Sequence, residues 1–126
     1  MKLEVGDKTC IDSPSVEQVR HYLHFMPPQA PFVILSGESG AFMQAAPEGE
    51  QYRVEYKDNE HQYAAFVTVE QAEKLFEAFL AGDVSYRQAI QWRRLTAWND
   101  PLNVNAYVWL ILLAVVFAVG LGWYFW

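Results

Sequence analysis

Residues 32–68 read "FVILSGESGAFMQAAPEGEQYRVEYKDNEHQYAAFVT", and this stretch decides the fold. Apolar runs alternate with turn-forming clusters: "FVILS", then "GESG", "AFMQAA", "PEGE", "QYRVEYK", "DNE" and "HQYAAFVT". Runs of this length bounded by Gly, Pro, Asn, Asp and Ser predict an antiparallel meander of about four strands. The clearest member is "QYRVEYK", where Tyr52, Val54 and Tyr56 alternate with Arg53, Glu55 and Lys57. Side chains on a strand point to opposite faces in turn, so the aromatic and β-branched set is expected inside and the charged set in water.

Working outward, "TVEQAEKLFEAFLAG" predicts a helix that covers one face of this sheet. Thr68 and Gln71 have capping-box spacing, and Gly82 sits where a helix stops. Its apolar stripe is Val69, Ala72, Leu75, Phe76, Phe79 and Leu80, with Glu70, Glu73, Lys74 and Glu77 outside. Upstream, "SPSVEQVRHYLHFM" predicts another helix, with Ser13 as N-cap, Pro14 at the first helical position, and Val16, Val19, Leu23 and Met26 at helical spacing. "PPQAP" ends it, because proline lacks an amide donor and pushes the residue before it into an extended conformation. "KLEV" and "KTCID" around Gly6 and Asp7 suggest a short hairpin. "SYRQAIQWRRL" fits either a short helix or a last strand. The fold class expected is α+β, an antiparallel meander packed by one or two helices over residues 1–95.

Residues 96–103 form a linker, since Asn99, Asp100 and Pro101 are turn chemistry. Beyond it, residues 104–126 contain no Asp, Glu, Lys or Arg. At about 1.5 Å per residue this run reaches about 35 Å, enough for a hydrocarbon core of about 30 Å. It is expected to be a single transmembrane helix, a tail anchor in the lipid bilayer. Tyr107, Trp109, Trp123, Tyr124 and Trp126 lie near its ends, as in interfacial aromatic belts. The charged N-terminus lacks a signal-peptide apolar core, so the expected location is a bacterial inner membrane with the N-terminus cytoplasmic. Arg87, Arg93 and Arg94 precede the span and are expected to meet lipid headgroups on that side. Ala114, Ala118 and Gly122 repeat every four residues, a spacing that suits close helix packing, including a homodimer through the span.

The chain carries 9 basic and 15 acidic residues, a formal charge of −6, all of it outside the apolar run. That balance argues against nucleic-acid binding, which needs a basic stripe. A single cysteine, Cys10, rules out an internal disulfide framework and suits a reducing compartment. His21 and His24 are three apart but lack the further ligands of a zinc site, so no metal is expected. There is no nucleophile elbow, phosphate loop or dinucleotide fingerprint. No catalytic residues and no cofactor are therefore expected. Acidic residues concentrate between positions 38 and 60. Glu48, Glu50, Glu55, Asp58 and Glu60, with Tyr63, are the expected docking residues for a basic protein partner.

The succession "FVILSGESGAFMQAA", "QYRVEYKD" with "HQYAAF", and "TVEQAEKLFEAFLAGDVSYRQAIQW" resembles small bacterial α+β domains of immunity proteins in polymorphic-toxin and contact-dependent secretion systems. The resemblance spans residues 31–92 and rests on strand order, a glutamate in the "VEY" strand and the "AGD" to Trp92 ending. It implies a stoichiometric binder that neutralises a toxin or effector and performs no chemistry. The alternative expectation is a small accessory or assembly subunit of an inner-membrane complex, with specificity in the span.

Overall fold

The computed structural model describes residues 1–6, 9–37, 39–58 and 61–96. In chain order the elements are β1 (Lys2–Val5), β2 (Thr9–Asp12), α1 (Val16–His24), β3 (Val33–Ser36), β4 (Phe42–Glu48), β5 (Gln51–Lys57), β6 (Gln62–Val67), α2 (Val69–Leu80), α3 (Tyr86–Ala89) and β7 (Arg93–Leu95). The strands form a single sheet in the order β2-β1-β3-β4-β5-β6-β7. The chain divides into two units, Met1–Arg94 and Leu95–Trp126. The expected transmembrane helix and its small-residue stripe, Ala114, Ala118 and Gly122, lie outside the described residues. Among the described residues no helix is long and apolar enough to cross a membrane.

The four-strand meander is present as β3–β6, each strand antiparallel to the next. The sheet is wider than expected, with seven strands. The N-terminal hairpin does not stand apart, because β1 pairs with β3 as well as with β2, setting Leu3 beside Leu35 and Val5 beside Val33. β2 and β3 both run antiparallel to β1, hence parallel to each other, and α1 makes the crossover between them. Parallel strands require a long connection of this kind, whereas a tight turn suffices for antiparallel neighbours. The ambiguous segment after α2 contains both readings, a single helical turn in α3 and then β7.

α1 begins two residues later than the Ser13–Pro14 reading placed it. Ser15 is the N-cap: its hydroxyl accepts from the Gln18 amide and the Gln18 side chain accepts from the Ser15 amide. Ser13 instead has φ +50°, turning the chain out of β2. The physical reason is that Ser15 begins its own S-x-x-Q capping box, which satisfies two orphan amides at once. Thr68 and Gln71 form the same box at α2 as expected, and Gly82 follows with φ +74°.

Both long helices lie on one face of the sheet. Val19 and Leu23 of α1 and Ala72, Leu75, Phe76 and Phe79 of α2 meet Leu3, Val5, Val33, Leu35, Met43, Ala45, Val54 and Tyr56 in one core. The helices are also joined across their outer edges by Arg20 with Glu77 and His24 with Glu73. At the end of α1 the Tyr52 hydroxyl donates to the Leu23 carbonyl at 2.6 Å, pinning β5 to the helix terminus. Burial raises the Tyr52 phenol above its ordinary value.

One face assignment is overturned. Tyr52, Val54 and Tyr56 do point to the helices, but Arg53 and Glu55 are not in water. They are 2% and 5% exposed on the opposite face of the sheet, and only Lys57 of the three charged residues is exposed. Period two assigns residues to two faces without saying which face is wet. A strand in the middle of a seven-strand sheet can bury both.

Candidate protein-binding site

The middle of β5 carries a polar network on the face away from the helices. Arg53 donates to Glu55 Oε1 through Nε at 2.9 Å and Nη2 at 2.8 Å. The other carboxylate oxygen accepts from the Gln44 side chain and from Gln62 Nε2 at 3.4 Å. Arg53 also lies 5.8 Å from the centroid of Phe66. Gln44 and Ala64 face Glu55 across the strands, as Ala46 and Phe66 face Arg53. A buried carboxylate with its lone pairs committed to internal donors is a structural group, since any partner would have to displace those bonds. Glu55 is thereby separated from the other expected docking residues.

Those residues divide between the two ends of β5. Glu48 and Glu50 flank the turn that leads into the strand, Glu48 half-buried and Glu50 exposed. Asp58 and Tyr63 lie at the far end, and Glu60 lies outside the described residues. Six residue steps at about 3.3 Å put the ends about 20 Å apart, so the sheet does not gather the acidic residues into one surface.

The far end is the better-built site. Tyr56, buried at 4% exposure, is stacked on Tyr63 with ring centroids 4.8 Å apart and an interplanar angle of 18°. Tyr86 and Trp92 meet it edge-on at 5.1 Å and 4.6 Å. Phe79 of α2 closes the cluster from below, 5.7 Å from Tyr86. The Trp92 indole donates to the Tyr86 carbonyl at 2.8 Å, which ties the approach to β7 onto α3. Beside this cluster, the turn after β5 is closed by two bonds: the Asp58 amide donates to the His61 carbonyl at 3.0 Å, and the His61 amide donates to Asp58 Oδ1 at 2.7 Å. The His61 ring lies edge-on to Tyr63 at 6.5 Å.

Arg87 brings a positive charge to this end, its guanidinium 5.8 Å from the Tyr86 centroid. Hydrogen bonding to Tyr86 raises its pKa against the opposing effect of burial. Burial, followed by the neighbouring Tyr63, pushes the Tyr56 phenol up to about 12, while Arg87 pulls it back. The phenol therefore stays neutral over the whole physiological range. Tyr63, His61 and Trp92 are half-buried and Arg87 and Lys57 are exposed, so the packed rings remain partly accessible at an end that also carries Asp58.

Arg87 is thus brought to the aromatic end. Arg93 and Arg94 are adjacent and exposed on β7, where alternation sends them to opposite faces. His21 packs against Tyr22 and Phe25, and His24 meets Glu73. No group of three or more His, Cys, Asp or Glu positioned for a metal occurs among the described residues. The composition of "SYRQAIQW" contains every member that α3 and Trp92 contribute, but nothing in its spacing shows that it folds back onto Tyr56. Compared with known proteins, the chain matches no family model, no curated protein and no solved structure.

Proposed function

We propose that this chain is a membrane-anchored protein-binding module, held at a bacterial inner membrane by residues 104–126, whose folded part docks a partner at the aromatic end of the sheet. The observation that carries the docking site is the Tyr56-centred cluster, which presents Tyr63, Trp92 and Arg87 from a rigid base. Tyr, Trp and Arg dominate the energetics of protein interfaces because each offers a large contact area together with a polar handle. The net charge of −6 favours a basic partner and accelerates its encounter. An immunity-type role, stoichiometric neutralisation of a toxin or effector, is the most concrete form of this reading. The resemblance over residues 31–92 supports that form.

The test is a pull-down with the full chain in detergent, followed by the double variant Tyr63→Ala with Arg87→Ala. Loss of a stoichiometric partner with unchanged thermal melting supports the site; retention sinks it. Replacing residues 104–126 by an unrelated membrane anchor separates this reading from the accessory-subunit one. A docking module keeps its partner after the swap, whereas a subunit recognised through its span loses it. Topology has its own check. A membrane-impermeant thiol reagent should leave Cys10 unlabelled in intact cells, and ready labelling excludes a cytoplasmic N-terminus.

A further inference from the structure

β2 forms one edge of the sheet, and its hydrogen-bonding pattern is set by its neighbours. The Ser13 amide donates to the Met1 carbonyl at 2.8 Å, continuing the register in which Lys2 faces Asp12 and Leu3 faces Ile11. Bonded and non-bonded pairs alternate along an antiparallel ladder. Thr9, Ile11 and Ser13 therefore turn their amides and carbonyls toward β1. The Gly6 amide, bonded to the Phe32 carbonyl on the β3 side at 2.9 Å, gives the same alternation from the other flank. It follows that Cys10 and Asp12 direct their backbone N–H and C=O groups away from the sheet. Thr9, Cys10 and Asp12 are exposed, while Ile11 is half-buried against the core on the helix side. β2 contains no proline, and its pairing with β1 is continuous, so the edge lacks two common devices that block strand addition.

The geometry points to antiparallel pairing of β2 with β2 of a second copy of this chain, across a two-fold axis at Ile11. Only Cys10 and Asp12 can enter bonded pairs at this edge, which leaves three symmetric registers. Setting Asp12 against its own copy opposes like charges directly, which is unfavourable. Setting Cys10 against its own copy engages only one bonded pair within the strand. Setting Cys10 against Asp12 of the other copy uses both outward residues of each strand. That register also places Ile11 against Ile11, extending the helix-side apolar layer from one copy to the other. On the opposite face each Asp12 stands between its own Lys2 and the other copy's Cys10, so no like charges are directly opposed. An isologous contact of this kind is closed, ending at a dimer.

Cys10 is the only cysteine, which makes the register measurable. In it the two thiols are diagonal neighbours, about 7–8 Å apart. Full-length protein in detergent micelles, treated with a bis-maleimide of matching span, is expected to run as a covalent dimer on a denaturing gel. Asp12→Pro removes an outward amide and no bond to β1, so it should abolish the cross-link while the melting temperature stays near that of the parent. Ile11→Lys, which sets two cations on the axis, should abolish it as well. Failure of the parent protein to cross-link, or a cross-link that survives both variants, overturns the proposal. So does a cross-link that survives Asp12→Pro but is lost in Ala118→Leu with Gly122→Leu, because that result moves the contact to the apolar segment. None of these outcomes depends on the partner proposed for the aromatic end.

Discussion

The two faces of β5 are built from the same seven residues and solve opposite problems. Toward α1 and α2, Val54 and Tyr56 bury apolar surface in a core that includes the fully buried Phe76. Away from the helices, Arg53 and Glu55 bury charge. The first face gains free energy with each Å² removed from water, whereas the second breaks even only while the two opposite charges stay together and keep their hydrogen bonds. An apolar core tolerates partial imperfection in proportion to the volume lost. A buried ion pair fails abruptly when one member is removed.

Perturbing each face should separate these behaviours. The largest effects are expected from Phe76→Ala and from Glu55→Leu, each about 3–5 kcal/mol in urea unfolding, the first from a core cavity and the second from an uncompensated Arg53. The two differ in rescue: adding Arg53→Met to Glu55→Leu should recover most of the loss, because exchanging a whole buried pair for apolar groups is often neutral. If the double variant is as unstable as the single, the network contributes more than charge compensation.

Alkaline pH probes the helix side of the same strand. The Tyr56 phenol lies at about 12 in the fold, above its ordinary 10.0. A raised acid is held neutral by the folded state, so its contribution to stability is complete below pH 10 and is lost as pH rises from 10 toward 12. Urea midpoints should fall as pH rises from about 10 toward about 12, and Tyr56→Phe should flatten that fall.

Smaller effects belong to the helices. Thr68→Ala should cost about 1 kcal/mol, since it removes the acceptor for the Gln71 amide at the start of α2. The exposed Arg20–Glu77 pair should show a coupling of about 0.2–1 kcal/mol in a double-mutant cycle, shrinking with added salt. A coupling as large as that of Arg53 and Glu55 would show that exposure does not separate the two kinds of ion pair.

The legible parts of this molecule are those whose cause is local. Thr68 and Gln71 announce the start of α2 because a capping box is completed within four residues, and its buried stripe follows from helical periodicity. The alternation in β5 reveals two faces for the same reason. The start of α1 differs from the Ser13–Pro14 reading although Ser15 and Gln18 carry the same box spacing as Thr68 and Gln71, because proline at a first helical position is an equally local signal that favours Ser13. The candidate site was less legible still. Asp58, Tyr63 and Arg87 stand out by residue type, but their meeting around Tyr56 depends on α3 and Trp92 closing over the end of the sheet.

By itself, then, the sequence determined the α+β class, the meander, α2 with its cap, and the charge-free run at residues 104–126, because each depends on periodicity, turn chemistry or composition within a short window. Only the tertiary structure decided that β1 pairs with β3, that Glu55 is an internal group while Asp58 belongs to the aromatic end, and which backbone groups β2 turns outward. Those outcomes depend on contacts between residues distant in the chain, where register and burial are chosen jointly by all the strands of the sheet.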